Sequence, residues 1–414
     1  MAGKKTIWFI SEVYHPDEQG TAFYTTGLAE GLAKDFDVRV LCSFPTVTAR
    51  GTRVPRKEIR NRVVIERCMA TTLDKDKITL RLVNIFTCSA AILLEGLAKV
   101  RQGDLVIAVT APPSMPFVAK IIALLTRARC ILRLEDVYPE IMVATGVIRA
   151  NTTTDRILGV LNRLLYKSAD KIVVLGRDMK ALVERKIGGG NEHLAIIRCW
   201  SDTDIVRPVP KANNALLKGL GLKDKFIVSC IGNMGRAQAI ELMLDAATLL
   251  KDDGRIHFLF IGSGARKAWM EQEVAQRGLK NVSIVGQRPR SEQIDFLNAC
   301  DISIISLLPG ITGAAVPSRL YNIMAAGKPV ISVTGVDSEV SLIVREENIG
   351  WVVPPDKPEH LSRAVLEALS DSERLEKMGA RAYAAASTKY PRERIIEEYR
   401  ALVVGLWTTA SSAL

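Results

Sequence analysis

The chain has 414 residues, 48% of them apolar and 24% charged, with a formal charge of +11. That length exceeds what one core usually serves and fits two α/β domains of about 200 residues each. A basic surplus fits nucleic acid, an anionic membrane face, a phosphate-rich ligand or a merely solvated surface. The cations are dispersed and aromatics make up only 6%, which argues against base-stacking platforms, so nucleic acid is not expected. Seven cysteines lie far apart without a C-x-x-C pair and read as buried thiols of a reducing compartment. The four histidines are scattered, so no metal site is expected. The first strand begins almost at once, with no signal-peptide pattern, and a cytoplasmic location is expected.

Short β-rich runs alternate with longer helical patterns, the signature of parallel sheets with crossover helices. The first strand is TIWFIS at 6–11, followed by a loop with Pro16 and Gly20 and a helix in which Tyr24, Leu28 and Leu32 share a face. Strands are then predicted to start at Asp37, Val63, Asp104, Cys130, Lys171 and Leu194. Residues 82–94, LVNIFTCSAAILL, are too short a run to span a bilayer and have cations on both flanks. They read first as a buried helix, and second as a helix lying in the membrane interface. A looser, proline-containing segment at 206–225 reads as a linker. The pattern then restarts, with strands predicted at Phe226, His257, Val282, Asp301, Pro329 and Gly350. A terminal helix follows Pro391, with Ile395, Ile396, Tyr399, Leu402 and Val403 on one stripe. The boundaries are therefore 1–205 and 206–390, with the helix at 391–414 free to pack back on the first domain.

Two loops carry chemistry. In GNMGRAQ, Gly232 and Gly235 flank a strand-to-helix turn containing Asn233, with Arg236 near the helix start. Such a turn lets backbone N–H groups approach an anion, and a guanidinium adds a bidentate partner. In the run 309–333, Ser318 and Arg319 follow Pro317 at a helix start, a second anion cradle. Two cradles at carboxyl ends of strands in one sheet would face one crevice, which suits a diphosphate. Ordinary turns and helix caps are the plain alternative. Two D-x-D tripeptides, Asp74–Lys75–Asp76 and Asp202–Thr203–Asp204, follow no strand at a useful place and are read as chance.

PSRLYNIMAAGKPVISV resembles the donor-binding segment of family 4 glycosyltransferases, and within them bacterial polysaccharide enzymes reading PSK-x-Y-x-x-MAAGKPV, a colanic-acid or N-acetylfucosaminyltransferase type. HPDEQGTAFYTTGLAEGLAK, DVYPEIMVATG, CWSDTDIVRP and GNMGRAQAIELMLDAA are similar to further family segments in the same order. The resemblance implies the GT-B fold, two Rossmann-like doubly wound parallel-sheet domains facing across a cleft. It also implies a retaining, metal-independent transfer from a nucleotide-sugar, with UDP the expected base, and no cofactor. The expected acceptor is a hydroxyl of a lipid-linked saccharide, at the cytoplasmic face of the inner membrane in cell-surface polysaccharide synthesis. Asp136 comes first and Glu135 second as the carboxylate that orients or deprotonates the acceptor. Phosphate contacts fall to Gly232, Asn233, Gly235, Arg236, Ser318 and Arg319, and nucleoside contacts to Gly264, Gln287, Tyr321 and Asn322. His15, Gly20 and Thr21, with Asp17 beside them, face the acceptor. The family's glutamate pair is replaced by Ala314 and Asn322, and its phosphate-binding arginine and lysine by Asn233 and Gln238. These departures leave a non-catalytic member, an epimerase of the same fold and a basic nucleic-acid-binding protein as rival readings.

Overall fold

The structure is a computed structural model that describes residues 5–73, 78–189 and 191–411. The first sheet contains β1 (Thr6–Ile10), β2 (Asp37–Ser43), β3 (Lys57–Arg60), β4 (Val63–Cys68), β5 (Leu105–Val109), β6 (Arg129–Arg133), β7 (Lys171–Val174) and β8 (Leu194–Ile196). Their spatial order is β3-β4-β2-β1-β5-β6-β7-β8. All neighbours run parallel except β3, which is antiparallel to β4. The second sheet contains β9 (Phe226–Ile231), β10 (Ile256–Ile261), β11 (Val282–Val285), β12 (Ile302–Ser306), β13 (Val330–Val333) and β14 (Gly350–Val353). It is wholly parallel, in the order β11-β10-β9-β12-β13-β14. β1, β5 and β12 are buried at every position. Helices cover both faces of these sheets, which is why the strands read as continuous apolar runs rather than alternations.

One strand escaped the sequence reading. β3 is KEIR, an edge strand joined to β4 through Asn61 and Arg62, whose φ values are 44° and 69°. Two consecutive positive φ values make the primed hairpin turn. The pair Asn-Arg lacks the glycine that would have announced it, and a charged edge strand carries little apolar signal.

In the first sheet the strand order reverses between β1 and β5, and in the second between β9 and β12. The loops leaving those strands are therefore the places where each sheet opens a crevice. The chain passes between domains twice, and the two crossings pair with each other. Ser201 N–H donates to the Tyr390 carbonyl at 2.8 Å, and its hydroxyl to the Ala386 carbonyl at 2.7 Å. Trp200 beside it is 2% exposed and packs edge-on against Tyr24, with ring centroids 4.7 Å apart. The terminal helix Arg392–Ser411 then returns to the first domain. It lies on helix Gly20–Leu32, where a Cβ on Gly31 would stand 2.3 Å from Ile396 Cδ1. Arg392 donates to the Gly27 carbonyl at 3.0 Å, and Arg400 pairs with Asp35 at 2.6 Å.

The expectation that residues 82–94 form a buried helix is corrected. They belong to helix Ile78–Lys99, on which Leu82, Phe86 and Leu94 are 59%, 74% and 69% exposed. Apolar residues on both sides of the helix gave a run too uniform to show which side met the sheet.

Candidate active site

The donor-side wall is a stack of glycine turns. β9 leads into Gly232 at φ 120°, and β10 into Gly262 and Gly264, both at φ 151°. Met234 N–H donates to the Ser263 carbonyl at 2.7 Å, which holds one turn on the other. A Cβ on Gly264 would stand 2.4 Å from Asn233 Oδ1 and 2.5 Å from the Met234 carbonyl, so only glycine fits. Gln287 accepts a 2.9 Å hydrogen bond from Ser263 Oγ and continues the same rim after β11. Asn233 and Arg236 are exposed there, and Gly235 is half-buried against the Asn233 amide. Gln238 is turned inward instead, 6% exposed, with its carbonyl oxygen accepting from Ser306 Oγ at 3.5 Å.

The loop after β12 completes this wall. Helix Arg319–Ala325 begins beside the Gly232 turn, and the guanidinium of Arg319 lies over it, donating to the Ile231 carbonyl at 2.9 Å. A Cβ on Gly232 would meet Arg319 Nη1 at 3.4 Å. Arg319 forms no salt bridge among the described residues. It keeps a partial opening to solvent, yet desolvation holds its pKa below the usual arginine value. A guanidinium has five donors, and one is used here. Ser318 does not cap this helix with its side chain as the sequence suggested; it faces Gly20 across the cleft, where an added Cβ would be 3.5 Å from its Oγ.

Two expected nucleoside contacts are corrected. Tyr321 is fully buried, edge-on to Tyr390 at 5.1 Å. Asn322 is 6% exposed, and its Oδ1 accepts the Asp202 N–H at 2.9 Å. Both project from the inner side of helix Arg319–Ala325 onto the domain crossing rather than into the crevice. The family resemblance assigned them to the nucleoside because it fixes position along the helix and not the helix's rotation. Asp202, of the second D-x-D, is likewise buried at that crossing. Asp74 and Asp76, of the first, lie outside the described residues.

The facing wall belongs to the first domain. The loop after β6 carries Glu135 and Asp136, and both N–H groups donate to Thr110 Oγ1, at 2.9 and 3.1 Å. Glu135 is ion-paired with the buried Arg133, which also donates to Tyr399 Oη of the terminal helix at 2.9 Å. Asp136 has no salt bridge among the described residues. Its carboxyl is surrounded by protein while keeping an edge open, and desolvation raises its pKa to about 6. The two carboxylates are thus unequal: Glu135 is neutralised, and Asp136 is the one able to accept a proton near neutral pH. Asp136 also forms an isolated antiparallel bridge with Ala315 of the second domain, and Val137 N–H donates to the Ala314 carbonyl at 2.8 Å. This pairing sets Asp136 against the same loop that ends at Ser318 and Arg319.

Gly20 and Thr21 open the first turn of helix Gly20–Leu32, which meets the second domain where Tyr24 Oη approaches the Ser318 carbonyl at 3.4 Å. His15 is half-buried with its ring 3.4 Å from Arg60 on β3, and burial followed by that cation lowers its pKa. Asp17 is not directed at an acceptor. It accepts from Thr46 N–H at 3.1 Å, Val47 N–H at 3.3 Å, Ala49 N–H at 2.8 Å and Thr48 Oγ1 at 3.1 Å, and so ties down the loop after β2.

Two residues at the cleft were missed. Arg290 of the second domain donates to the Glu18 carbonyl at 2.9 Å and lies 3.5 Å from the Phe23 ring centroid, a cation–π contact across the opening. Glu339 is wholly buried and receives Arg177 Nε at 2.9 Å and Arg198 Nε at 2.7 Å from the first domain. Desolvation works against its charge, but those two arginines prevail and its pKa is lowered. In the sequence Glu339 follows Ser338 as an acid in the first turn of a helix, a pattern that only signals a helix start.

Among the described residues, the loops at the two switch points thus place a cation free of salt bridges on one wall and a carboxyl free of them on the other, an arrangement that suits a two-domain transferase acting on an anionic activated group. Comparison with known proteins gives the family. Residues 19–200 match the glycosyl transferase 4-like domain, and residues 214–385 match the glycosyl transferases group 1. The probable glycosyltransferase WbjE of Pseudomonas aeruginosa is 33% identical over 270 residues, covering 65% of this chain and 67% of that one. The putative colanic acid biosynthesis glycosyl transferase WcaI of Escherichia coli is 25% identical over 372 residues, covering 86% and 90%. Among solved structures, Anabaena HepE in complex with UDP and glucose superposes with a TM-score of 0.73 at 15% identity, covering 96% of this chain and 99% of that one. The chain belongs to the group 1, family 4-type glycosyltransferases, and its two parallel-sheet domains have the GT-B architecture. That membership decides against the epimerase and nucleic-acid readings.

Proposed function

We propose that the protein transfers a sugar, with retention of anomeric configuration and without a metal, from a UDP-sugar to a hydroxyl of a lipid-linked saccharide during bacterial cell-surface polysaccharide assembly in the cytoplasm. The observation that carries the reading is Arg319. A largely desolvated cation without a carboxylate, set over a glycine turn at a switch point, is costly unless an anion completes it. A diphosphate is the anion that turns at Gly232 and Gly264 could approach most closely, and HepE, of the same fold, binds UDP and glucose. WcaI supports the polysaccharide setting by its name alone.

In the reaction the bond from the anomeric carbon to the β-phosphate oxygen breaks, and its electron pair leaves on UDP. Arg319 and the N–H groups of the glycine turns hold that developing charge. The acceptor oxygen bonds to the anomeric carbon from the face that the leaving group vacates, and its proton passes to Asp136. Closure of the walls through Arg290 and Glu18 excludes water from the oxocarbenium-like centre.

The test is thermal stability against UDP, GDP, ADP, CMP and their sugars with a chelator present. Selective stabilisation by UDP, lost in Arg319→Ala, is the expected outcome. Loss of one charge-assisted contact weakens binding by about 10- to 100-fold. No response to any nucleotide, or a response that Arg319→Ala leaves unchanged, overturns the reading. An absolute metal requirement overturns the metal-free part, and an inverted product anomer the retaining part.

A further inference from the structure

Crossovers between parallel strands are right-handed, so helices Ile78–Lys99, Met115–Thr126 and Thr153–Ser168 share one face of the first sheet, opposite helix Gly20–Leu32. The terminal helix covers the outer side of Gly20–Leu32. No described element covers the outer side of the other three. Half of the strongly exposed large apolar side chains among the described residues stand on them. In Thr153–Ser168 the apolar stripe Ile157, Val160, Leu161 and Leu164 has the i, i+3, i+4, i+7 spacing that ordinarily points to a core. Here it points outward, with those residues 44–59% exposed, while Asn162 and Tyr166 face the sheet. Leu124 and Leu125 on the middle helix are 69% and 64% exposed.

Helix Ile78–Lys99 is apolar enough by length and composition to cross a membrane. It is nevertheless a packed element of the domain: Ile92 is fully buried, and a Cβ on Gly96 would stand 2.4 Å from Ile122. A face this apolar is incompatible with an empty aqueous surface. Charge decides its occupant. Arg127, Arg156, Arg163 and Lys167 are exposed around the patch and form no salt bridge among the described residues. A second copy meeting the same face across a two-fold axis would set these cations against each other. An anionic bilayer answers both the apolar stripe and its cationic rim.

We infer that this three-helix face docks on an anionic lipid bilayer, lying in its interface rather than spanning it. Helices Ile78–Lys99 and Met115–Thr126 start at the carboxyl ends of β4 and β5, the edge that faces the cleft. Docking there brings the cleft mouth to the membrane surface, where a lipid-anchored acceptor would present its sugar. The inference does not depend on which group is transferred, so its failure leaves the donor-site reading standing.

The experiment is flotation of the full chain with vesicles of phosphatidylglycerol and phosphatidylethanolamine, and with phosphatidylcholine alone. Expected are binding to the anionic vesicles, weaker binding to the neutral ones, and a loss of about tenfold or more in Phe86→Gln/Leu124→Gln/Leu164→Gln. The charge variant Arg156→Glu/Arg163→Glu should lose anionic selectivity, and it keeps the test open should the triple variant fold poorly. Both variants should retain the wild-type response to UDP. Absence of wild-type binding at about 0.1 M salt overturns the inference, as does binding indifferent to both variants. So does a stable dimer in solution that the triple variant converts to monomer.

Discussion

The two walls of the cleft solve opposite electrostatic problems with the same means. The second domain holds a cation, Arg319, over a glycine turn with one carbonyl as partner, and burial lowers its pKa. The first holds a carboxyl, Asp136, through its backbone alone, and burial raises its pKa to about 6. Each charge is pressed toward neutrality, whereas other buried charges are paired: Glu135, beside Asp136, with Arg133, and Glu339, at a separate domain contact, with Arg177 and Arg198. Paired charges here hold the structure together, and the unpaired ones face the opening. The difference separates scaffold from chemistry more sharply than residue type does.

The comparison breaks most readily at Asp136. Asp136→Asn should lower the transfer rate by about 10²- to 10⁴-fold. The same change should raise stability at pH 7 by about 1–3 kcal/mol, because a carboxylate costly to ionise has been removed. Rates and unfolding midpoints measured together check both; a fall in both would make Asp136 a structural residue. The pH dependence follows from the sign of the shift. The folded pKa of about 6 lies above the ordinary 3.8, so the native state holds this proton more tightly. The stabilising contribution of this group is full below about pH 4, and is lost as pH rises through about 6. kcat/KM should rise over the same range to a plateau above about pH 6. Both profiles should flatten in the Asn variant.

Glu135→Gln tests the paired member of the same loop. It leaves Arg133 buried without its carboxylate and should destabilise the protein by about 2–3 kcal/mol, measured by denaturant unfolding. Its rate at a temperature where the variant is folded should fall far less than that of Asp136→Asn. Equal losses of rate would show that the two carboxylates act as one unit. The smallest effect is expected on the donor wall, where Gly264→Ala forces a Cβ against Asn233 and Met234 at a positive φ. A loss of about 1–2 kcal/mol is expected, with a higher KM for the donor and little change in its base preference. A variant of unchanged KM would separate this turn from the nucleotide.

Much of this was legible in the chain itself. Thirteen of the strand positions could be placed because buried parallel strands are continuous β-branched runs, whereas β3 could not, its four residues being mostly charged. The glycine turn at Gly232 and the Pro-Ser-Arg helix start announced the donor wall, since only glycine tolerates φ of 120° there. The family resemblance supplied the candidate pair Glu135 and Asp136. The local sequence offered no ground for ranking them beyond the family pattern, because the ranking depends on Arg133 two residues earlier pairing with one carboxyl and not the other.

The sequence by itself determined two parallel sheets, their punctuation by glycine turns, and the family. These are local matters of periodicity, φ preference and spacing. Only the tertiary structure decided the rotation of each helix and the pairing of each charge. It buried Tyr321 and Asn322, spent Asp17 on a loop, and turned an apolar stripe of Thr153–Ser168 toward solvent. The physical reason is that desolvation and partnership belong to neighbours distant in sequence, and a side chain acquires its chemistry from them.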